Sequence, residues 1–397
     1  MEYTIALRSP CKAASLPPWV RRIGRLPLAA GLLSLLLLLS CVRQSEDATV
    51  RCESLKLPFH RYGPSLSAVV SSANLAIAFT DRENASLNMS LIPLKGPWNA
   101  SSPSFETVDR IDWANSFSVD FGSMLLAVDG SRENLFYLDR EREGEDILKW
   151  AYRRAGTDPW SVDTFVPPGR PLAFVPDADG RCGFYWMSDG IYRTALSPLP
   201  SAEGARPASL SGDPMSVHKR ILFDGTAMPV SSGGRSGFTA YDADTDSLSF
   251  WEWKADHLDE TRIPGGSRIQ ASRLRPDGTL AILLYEARTR RIVFKEQTAS
   301  PKGFRETGVT LADGTTALFF LEGKEGTRFF FTELVEDGHG GTQAALSLLH
   351  KVEGEYRKRV LSSEAGAIRS LSIVESGGEI YAVLLRDTIE ALRIRIE

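Results

Sequence analysis

Three aspartates at alternate positions, Asp242, Asp244 and Asp246, lie in the stretch YDADTDSLSFWE. Carboxylates at this spacing begin an EF-hand loop, so calcium binding is the first chemistry to consider. The second half of the loop does not fit, because Ser247 stands where glycine is required and Trp253 stands where a bidentate glutamate is required. We therefore interpret the triplet as a hairpin turn, in which Asp side chains bond nearby backbone groups, and we expect no metal site.

Catalytic signatures are few. Asp112, beside Arg110 in RIDW, is a candidate carboxylate for a glycan hydrolase or lyase, since glycosidases act through carboxylates. The sequence has no Gly-x-Ser-x-Gly elbow. The histidines show no metal-ligand spacing, and they are His60, His218, His257, His339 and His350. We assign no catalytic residue and expect no cofactor. We expect most of the tryptophans to pack in the core, and those considered are Trp150, Trp160, Trp186, Trp251 and Trp253.

The first forty residues differ from the rest of the chain. They carry five basic residues and one acidic residue, and they end in an uncharged run from Leu26 to Ser40. This run is shorter than the roughly 20 residues of a membrane-spanning helix and is typical of an export signal. Its end, Leu38-Leu39-Ser40-Cys41, resembles the lipobox of bacterial lipoproteins. The alternative is an ordinary secretory signal whose cleavage site lies beside a cysteine.

The lipobox resemblance implies three segments. Residues 1–40 would be the signal peptide, residues 41–53 the lipidated Cys41 with a polar tether, and residues 54–397 the folded domain. It also implies a bacterial cell envelope location, and Val42 after the lipidated cysteine favours the outer membrane. Cys52 and Cys182 either form a disulfide, which an oxidising envelope permits, or remain two thiols.

The charge of the chain excludes one class of partner. Without residues 1–40 the chain has 41 basic and 49 acidic residues, a net charge of −8. Nucleic-acid-binding proteins carry basic patches, so we expect no nucleic acid partner.

The elements that position these residues are predicted to be strands. Short apolar runs recur between Asp-Gly, Gly-Gly and Pro turns, and helical periodicity is scarce. The runs at 281–285, 317–321 and 329–335 are apolar at consecutive positions, so both faces of those strands must be covered. Tight connections indicate antiparallel neighbours. Stacked antiparallel sheets of this kind predict an all-β fold, a β-propeller.

An internal repeat supports the propeller. YDADTDSLSFWE matches YEARTRRIVFKE after a shift of 44 residues, within the range of propeller blades. Acidic turn markers continue the series and predict seven irregular four-stranded blades, with six or eight as alternatives; they are Asp81, Asp139, Asp189, Asp242, Glu286, Glu322 and Asp387. The last two steps are irregular, which suggests an extra hairpin around VEDGHGGTQ.

FTAYDADTDSLSFW resembles the repeat of PQQ-type propellers, with Ala240, Asp242, Ala243, Thr245 and Leu248 at the matching positions. The resemblance implies the propeller class and not a PQQ site. The layout of lipobox, linker and propeller is similar to that of the propeller lipoprotein of the outer-membrane β-barrel assembly machinery. It implies a lipid-anchored binding or scaffold protein with a protein or glycan partner, and the alternative is a propeller-type glycan hydrolase or lyase.

Overall fold

The computed structural model describes the chain between Val50 and Ile396. It leaves out 59–61, 99–101, 111–123, 130–131, 141–145, 155–157, 166–169, 177–181, 188–190, 197–212, 216–220, 223–227, 233–234, 243–246, 255–257, 265–267, 276, 287–288, 290, 299–302, 312–314 and 324–325. Every regular element in the described part is a β-strand. No described segment forms a helix long and apolar enough to cross a membrane.

The strands form seven antiparallel sheets, which we number along the chain. Sheets 1 and 2 contain β2 (Tyr62–Ser71), β3 (Asn74–Asp81), β4 (Ser86–Pro93), β5 (Ser104–Arg110), β6 (Met124–Asp129), β7 (Arg132–Arg140), β8 (Asp146–Arg154) and β9 (Ser161–Phe165). Sheets 3 and 4 contain β10 (Arg170–Pro176), β11 (Cys182–Met187), β12 (Ile191–Leu196), β13 (Asp213–Met215), β14 (Ile221–Leu222), β15 (Met228–Ser232), β16 (Arg235–Asp242), β17 (Ser247–Trp253) and β18 (Leu258–Ile263).

Sheets 5 and 6 contain β19 (Arg268–Leu274), β20 (Leu280–Glu286), β21 (Arg291–Gln297), β22 (Phe304–Leu311), β23 (Thr316–Gly323), β24 (Gly326–Glu336), β25 (Thr342–Val352) and β26 (Glu355–Glu364). Sheet 7 joins the two ends of the described chain and contains β1 (Val50–Lys56), β27 (Ser370–Ser376), β28 (Glu379–Leu385) and β29 (Ile389–Ile396).

Six of the sheets are regular four-stranded blades, and sheet 4 has five strands. In sheet 4, β14 and β15 pair with successive parts of the same strand, β16, so its innermost strand is interrupted. The predicted fold class, an all-β propeller, is confirmed. The prediction of seven irregular four-stranded blades is wrong in its number, because six of the described sheets are four-stranded blades and sheet 4 has five strands.

The sheets are arranged around a ring through their innermost strands. Strand β2 contacts both β6 and β27, and a second chain of contacts runs through β10, β15, β19, β23 and β27. The ring is closed by β1, which pairs along its whole length with β29 from the other end of the chain. The last four residues of the predicted tether, Val50 to Glu53, therefore belong to the ring.

Burial explains the apolar runs. In β20, residues 280–284 are all buried. Ala281 and Leu283 pack in the cluster shared with sheet 6, whereas Leu280, Ile282 and Leu284 pack in the cluster shared with sheet 4. Alternate side chains thus serve opposite neighbours, which confirms that both faces are covered.

The series of acidic markers needs one correction. Five of the markers lie near the end of the second strand of a blade or in the turn that follows it, and Asp189 lies outside the described residues. Glu322 instead lies in β23, an innermost strand. The equivalent residue in sheet 6 is Asp337, directly after β24. With Asp337 the last two steps become 51 and 50 residues. VEDGHGGTQ is therefore the regular turn between β24 and β25, and the extra hairpin proposed from the sequence is wrong.

Candidate binding groove between sheets 6 and 7

The ring has two ends, which we name by what each carries. The tether face includes Val50 and the Gly377–Gly378 turn, because Val50 pairs with Ile396 and the turn joins β27 to β28. The groove face includes the 337–341 turn and residues 365–369. Leu57 marks the groove end of β1, where its N–H donates to the carbonyl of Ile389 at 2.9 Å.

A hairpin of sheet 6 projects from the groove face. The pairing of β23 with β24 ends at Thr332, but β24 continues to Glu336, paired with β25. The Asp337 carboxylate caps the turn by accepting the backbone N–H groups of His339 and Gly341, both at 2.9 Å. Asp81 caps the equivalent turn of sheet 1, accepting the N–H of Glu83 at 2.9 Å. Aspartate at the marker position therefore stabilises turns in at least two sheets.

A groove of about 330 Å³ lies between this hairpin and the segment leading into β27, lined by Thr332, Glu333, Leu334, Thr342, Gln343, Ala344, Gly366, Ala367 and Ile368. Phe330 and Leu346 pack against sheet 7. Because side chains alternate along a strand, Thr332 and Leu334 lie on the same face of β24 as Phe330, the face towards sheet 7. Leu334 is 72% exposed, more than any other large apolar side chain in the described part of the chain. The volume lies within the range of small-ligand and side-chain pockets.

Arg386 stabilises the base of the groove by bonding to the backbone of residues that line it, and its side chain is only 2% exposed. Its Nη1 donates to three carbonyl oxygens, those of Ala344 (2.9 Å), Glu364 (3.2 Å) and Gly366 (3.2 Å). Burial lowers the pKa of Arg386, and the nearby Glu390 and Glu364 carboxylates oppose that shift. Arginine keeps its charge under such a shift, so a buried cation ties the turn of sheet 7 to sheet 6.

Glu333 is the only acidic residue among the described residues that line the groove, and its side chain lies on the opposite face of β24 from Thr332 and Leu334. It accepts hydrogen bonds from the Ser347 hydroxyl at 2.5 Å and from Lys358 Nζ at 3.0 Å. Glycan hydrolysis normally requires two carboxylates across the scissile bond. The described groove therefore suits binding through apolar contact and hydroxyl or amide hydrogen bonds.

The tether face is built differently. The Glu379 carboxylate accepts from Arg393 Nε (2.8 Å), Arg395 Nε (2.5 Å) and the Tyr381 hydroxyl (2.6 Å). Desolvation alone would raise the pKa of Glu379, but these hydrogen bonds lower it to about 2. Arg395 also reaches Glu53 of β1 at 3.5 Å. The same end of sheets 2 and 4 carries further ion pairs, Arg153–Glu133 (2.8 Å) and Arg235–Glu252 (2.6 Å).

A polar cluster between sheets 1 and 2 lies close in sequence to Asp112. The Tyr137 hydroxyl donates to Asp109 at 2.5 Å, and Lys149 Nζ lies 2.8 Å from Asp139 and 3.2 Å from Asp109. Burial, together with the hydrogen bond to Asp109, raises the pKa of Tyr137. For Lys149 burial alone would lower the pKa, but both carboxylates raise it overall. Both groups therefore stay protonated at neutral pH, and their contacts with Asp109 join sheet 2 to sheet 1.

The residues singled out from the sequence lie in different parts of the molecule. Asp112, Cys41, Asp244 and Asp246 lie outside the described residues, as do His60, His218 and His257. Arg110 is exposed at the end of β5. The backbone of Asp242 ends β16, as a hairpin turn requires. In the described part of the chain, no group of His, Cys, Asp and Glu is placed to hold a metal ion.

The remaining histidines and the tryptophans occupy both buried and exposed positions. His339 lies at an exposed hairpin tip and His350 is buried in β25. Trp150 and Trp251 are buried, as predicted for core residues, whereas Trp160 and Trp253 are half-buried. The side chain of Trp186 is not among those described.

The two cysteines lie in different sheets, Cys52 in β1 of sheet 7 and Cys182 in β11 of sheet 3. Cys52 has no disulfide partner among the described residues, and the side chain of Cys182 is not described. The disulfide stays a prediction. Although Cys52 has solvent-accessible surface, desolvation by its neighbours and the charge of Glu390 raise the pKa of its thiol to about 11. The thiol is therefore protonated at neutral pH and reacts slowly as a nucleophile.

Sequence reasoning missed Leu334 and Arg386. The run FFFTELV predicts a strand covered on both faces, although Glu333 within it and Glu336 after it already interrupt the apolar pattern. Arg386 directly precedes the acidic marker Asp387, but no local pattern distinguishes a buried arginine from an exposed one. Its role depends on carbonyl groups 20 and 42 residues away along the chain.

No protein-family model matches the chain, and no curated protein matches its sequence. Similar solved structures include the polysaccharide lyase Uly1, with 10% identity, 86% of this chain and 91% of that chain covered, and a TM-score of 0.46. YCF48 bound to D1 peptide has 13% identity, coverages of 87% and 96%, and a TM-score of 0.47. The Trypanosoma rangeli sialidase in complex with sialic acid has 10% identity and a TM-score of 0.41, and the match covers 88% of this chain and 57% of the sialidase.

Proposed function

We propose that the protein is a lipid-anchored binding protein of the bacterial cell envelope, attached to the outer membrane through Cys41. In this proposal the β-propeller is a rigid scaffold that holds a protein or glycan partner at the groove face. The observation that carries the proposal is the groove beside Leu334, on a hairpin that projects beyond the pairing of the ring. An exposed apolar side chain beside a concave groove supplies apolar contact area to a bound partner.

The chemistry of the groove supports binding rather than catalysis. Its described lining has apolar groups from Leu334, Ala344 and Ile368, and hydroxyl and amide groups from Thr342 and Gln343. Among its described lining residues only Glu333 is acidic, and that carboxylate lies on the opposite face of β24, bonded to Ser347 and Lys358. The resemblance in layout to the propeller lipoprotein of the barrel-assembly machinery makes an envelope protein the first partner class to test.

Crosslinking in cells tests the binding role. A photo-reactive amino acid at Leu334 would be compared with the same amino acid at Glu355, an exposed residue at the opposite end of sheet 6. We expect a discrete crosslinked species from position 334 that is absent from position 355. Identical patterns from the two positions would contradict a groove-specific partner.

Metabolic labelling tests the anchor. Cells supplied with an alkyne-tagged palmitate should label the wild-type chain, and the label should disappear in Cys41→Ser. Cys52→Ser is the matched control and should label normally. Labelling that persists in Cys41→Ser would contradict anchoring at that residue.

A further inference from the structure

The point at which the tether meets the ring is fixed. Val50 is buried and pairs with Ile396, and Glu53 contacts Arg395. Trp98, in the loop after β4, donates its backbone N–H to Glu53 at 3.4 Å. These contacts hold the start of β1 at the tether face, so any chain segment preceding Val50 leaves the ring from that face.

The reach of the tether is limited. Nine Cα–Cα steps separate Cys41 from Val50. Since an extended chain spans at most about 3.3–3.6 Å per residue, the lipidated cysteine lies within about 30 Å of Val50.

The far side of the molecule is beyond that reach. Strand β1 has seven residues and extends roughly 20 Å from Val50 to the groove end of the ring. The hairpin continues past Thr332 by the residues up to Asp337, which adds roughly 15 Å. With one more step to Leu57, the hairpin tip lies roughly 40 Å from the level of Val50.

We propose that the tether face lies against the lipid surface and that the groove face points away from it, into the aqueous space. This inference rests on the proposed lipidation of Cys41. If the groove face lay on the membrane, the hairpin would touch first and would hold Val50 farther from the lipid than the tether can span. The orientation follows from chain length and from the position of β1, and it needs no attraction between the acidic body and the headgroups.

Energy transfer to labelled lipid tests the orientation. The full lipidated chain, with one clickable amino acid at position 339 or 355, would be labelled and reconstituted into phosphatidylethanolamine–phosphatidylglycerol vesicles that carry a headgroup acceptor. These positions lie near opposite ends of β25, whose length separates them by roughly 35 Å. We expect the transfer efficiency from position 355 to be at least about twofold that from position 339.

The outcomes separate the inference from its premise. Vesicle binding with equal or reversed transfer overturns the orientation and leaves the anchor intact. Failure of the wild-type chain to bind vesicles, as expected of Cys41→Ser, overturns the anchor and the orientation together. Inserting twenty Gly-Ser residues after Ser45 removes the limit on reach, so the difference between the two positions should shrink. An unchanged difference would contradict the tether as its cause.

Discussion

The two ends of sheets 6 and 7 differ in how completely their strands and side chains are paired. At the tether face, Glu379 is held by two arginines and a tyrosine, and β1 pairs along its whole length. At the groove face, the strands of one hairpin extend past their neighbours, and Leu334 lies in solvent. The difference indicates that one end maintains the ring and that the other is free to make contacts outside it.

Removing β1 should have the largest effect. A chain that begins at Leu57 loses buried Val50 and the ladder to β29, and we expect it to lose about 5 kcal/mol of unfolding free energy or to aggregate. Thermal and urea unfolding would measure the loss. A chain that begins at Val50 is the matched control and should be as stable as one that begins at Cys41. Equal stability of the Leu57 and Val50 forms would show that β1 does not close the ring.

Substituting Arg386 should have the next largest effect, because its side chain connects sheets 6 and 7 beneath the groove. Arg386→Met removes the three hydrogen bonds made by a buried guanidinium, so we expect a loss of about 3 kcal/mol in urea unfolding. Arg369→Met, at a more exposed neighbouring arginine, should cost less. If the two variants were equally stable, the groove floor would not depend on the buried cation.

The Glu379 cluster predicts a pH dependence. The pKa of Glu379 is about 2 in the folded protein, below its unfolded value, so its contribution is fully present above about pH 5 and is lost as the pH falls towards 2. Glu379→Gln should lower the stability by about 1–2 kcal/mol at pH 7 and by less at pH 3. Urea unfolding at both pH values measures this, and a constant difference between wild type and variant would contradict it.

Leu334 should show the smallest effect on stability. Because it is exposed, Leu334→Ser should change the unfolding free energy by less than about 0.5 kcal/mol. The same substitution should abolish the crosslink formed from the neighbouring position 336. Val360→Ser, at another exposed apolar residue of sheet 6, is the control for non-specific loss of apolar surface and should leave the crosslink unchanged.

The fold was largely predictable and the groove was not. Runs such as residues 280–284 predict strands covered on both faces, because burial acts on every side chain in them. The prediction that Glu322 is a marker was wrong because an acidic residue followed by glycine also occurs at the turn between the first and second strands of sheet 6. Only the strand pairing distinguishes that turn from the one after Glu336, between the second and third strands. The groove arises where Thr332 and Gly366 meet across two sheets, and no periodicity within one strand encodes such a meeting.

The closure of the ring by β1 also determines how the molecule would carry mechanical load. If Cys41 is anchored, any pull on a bound partner passes through the strand that closes the ring, since the tether continues directly into Val50. The hydrogen bonds between antiparallel strands lie perpendicular to the strands, and the tether pulls along β1. The ladder from Val50–Ile396 to Lys56–Glu390 is therefore loaded in shear, with its bonds sharing the force instead of opening one after another.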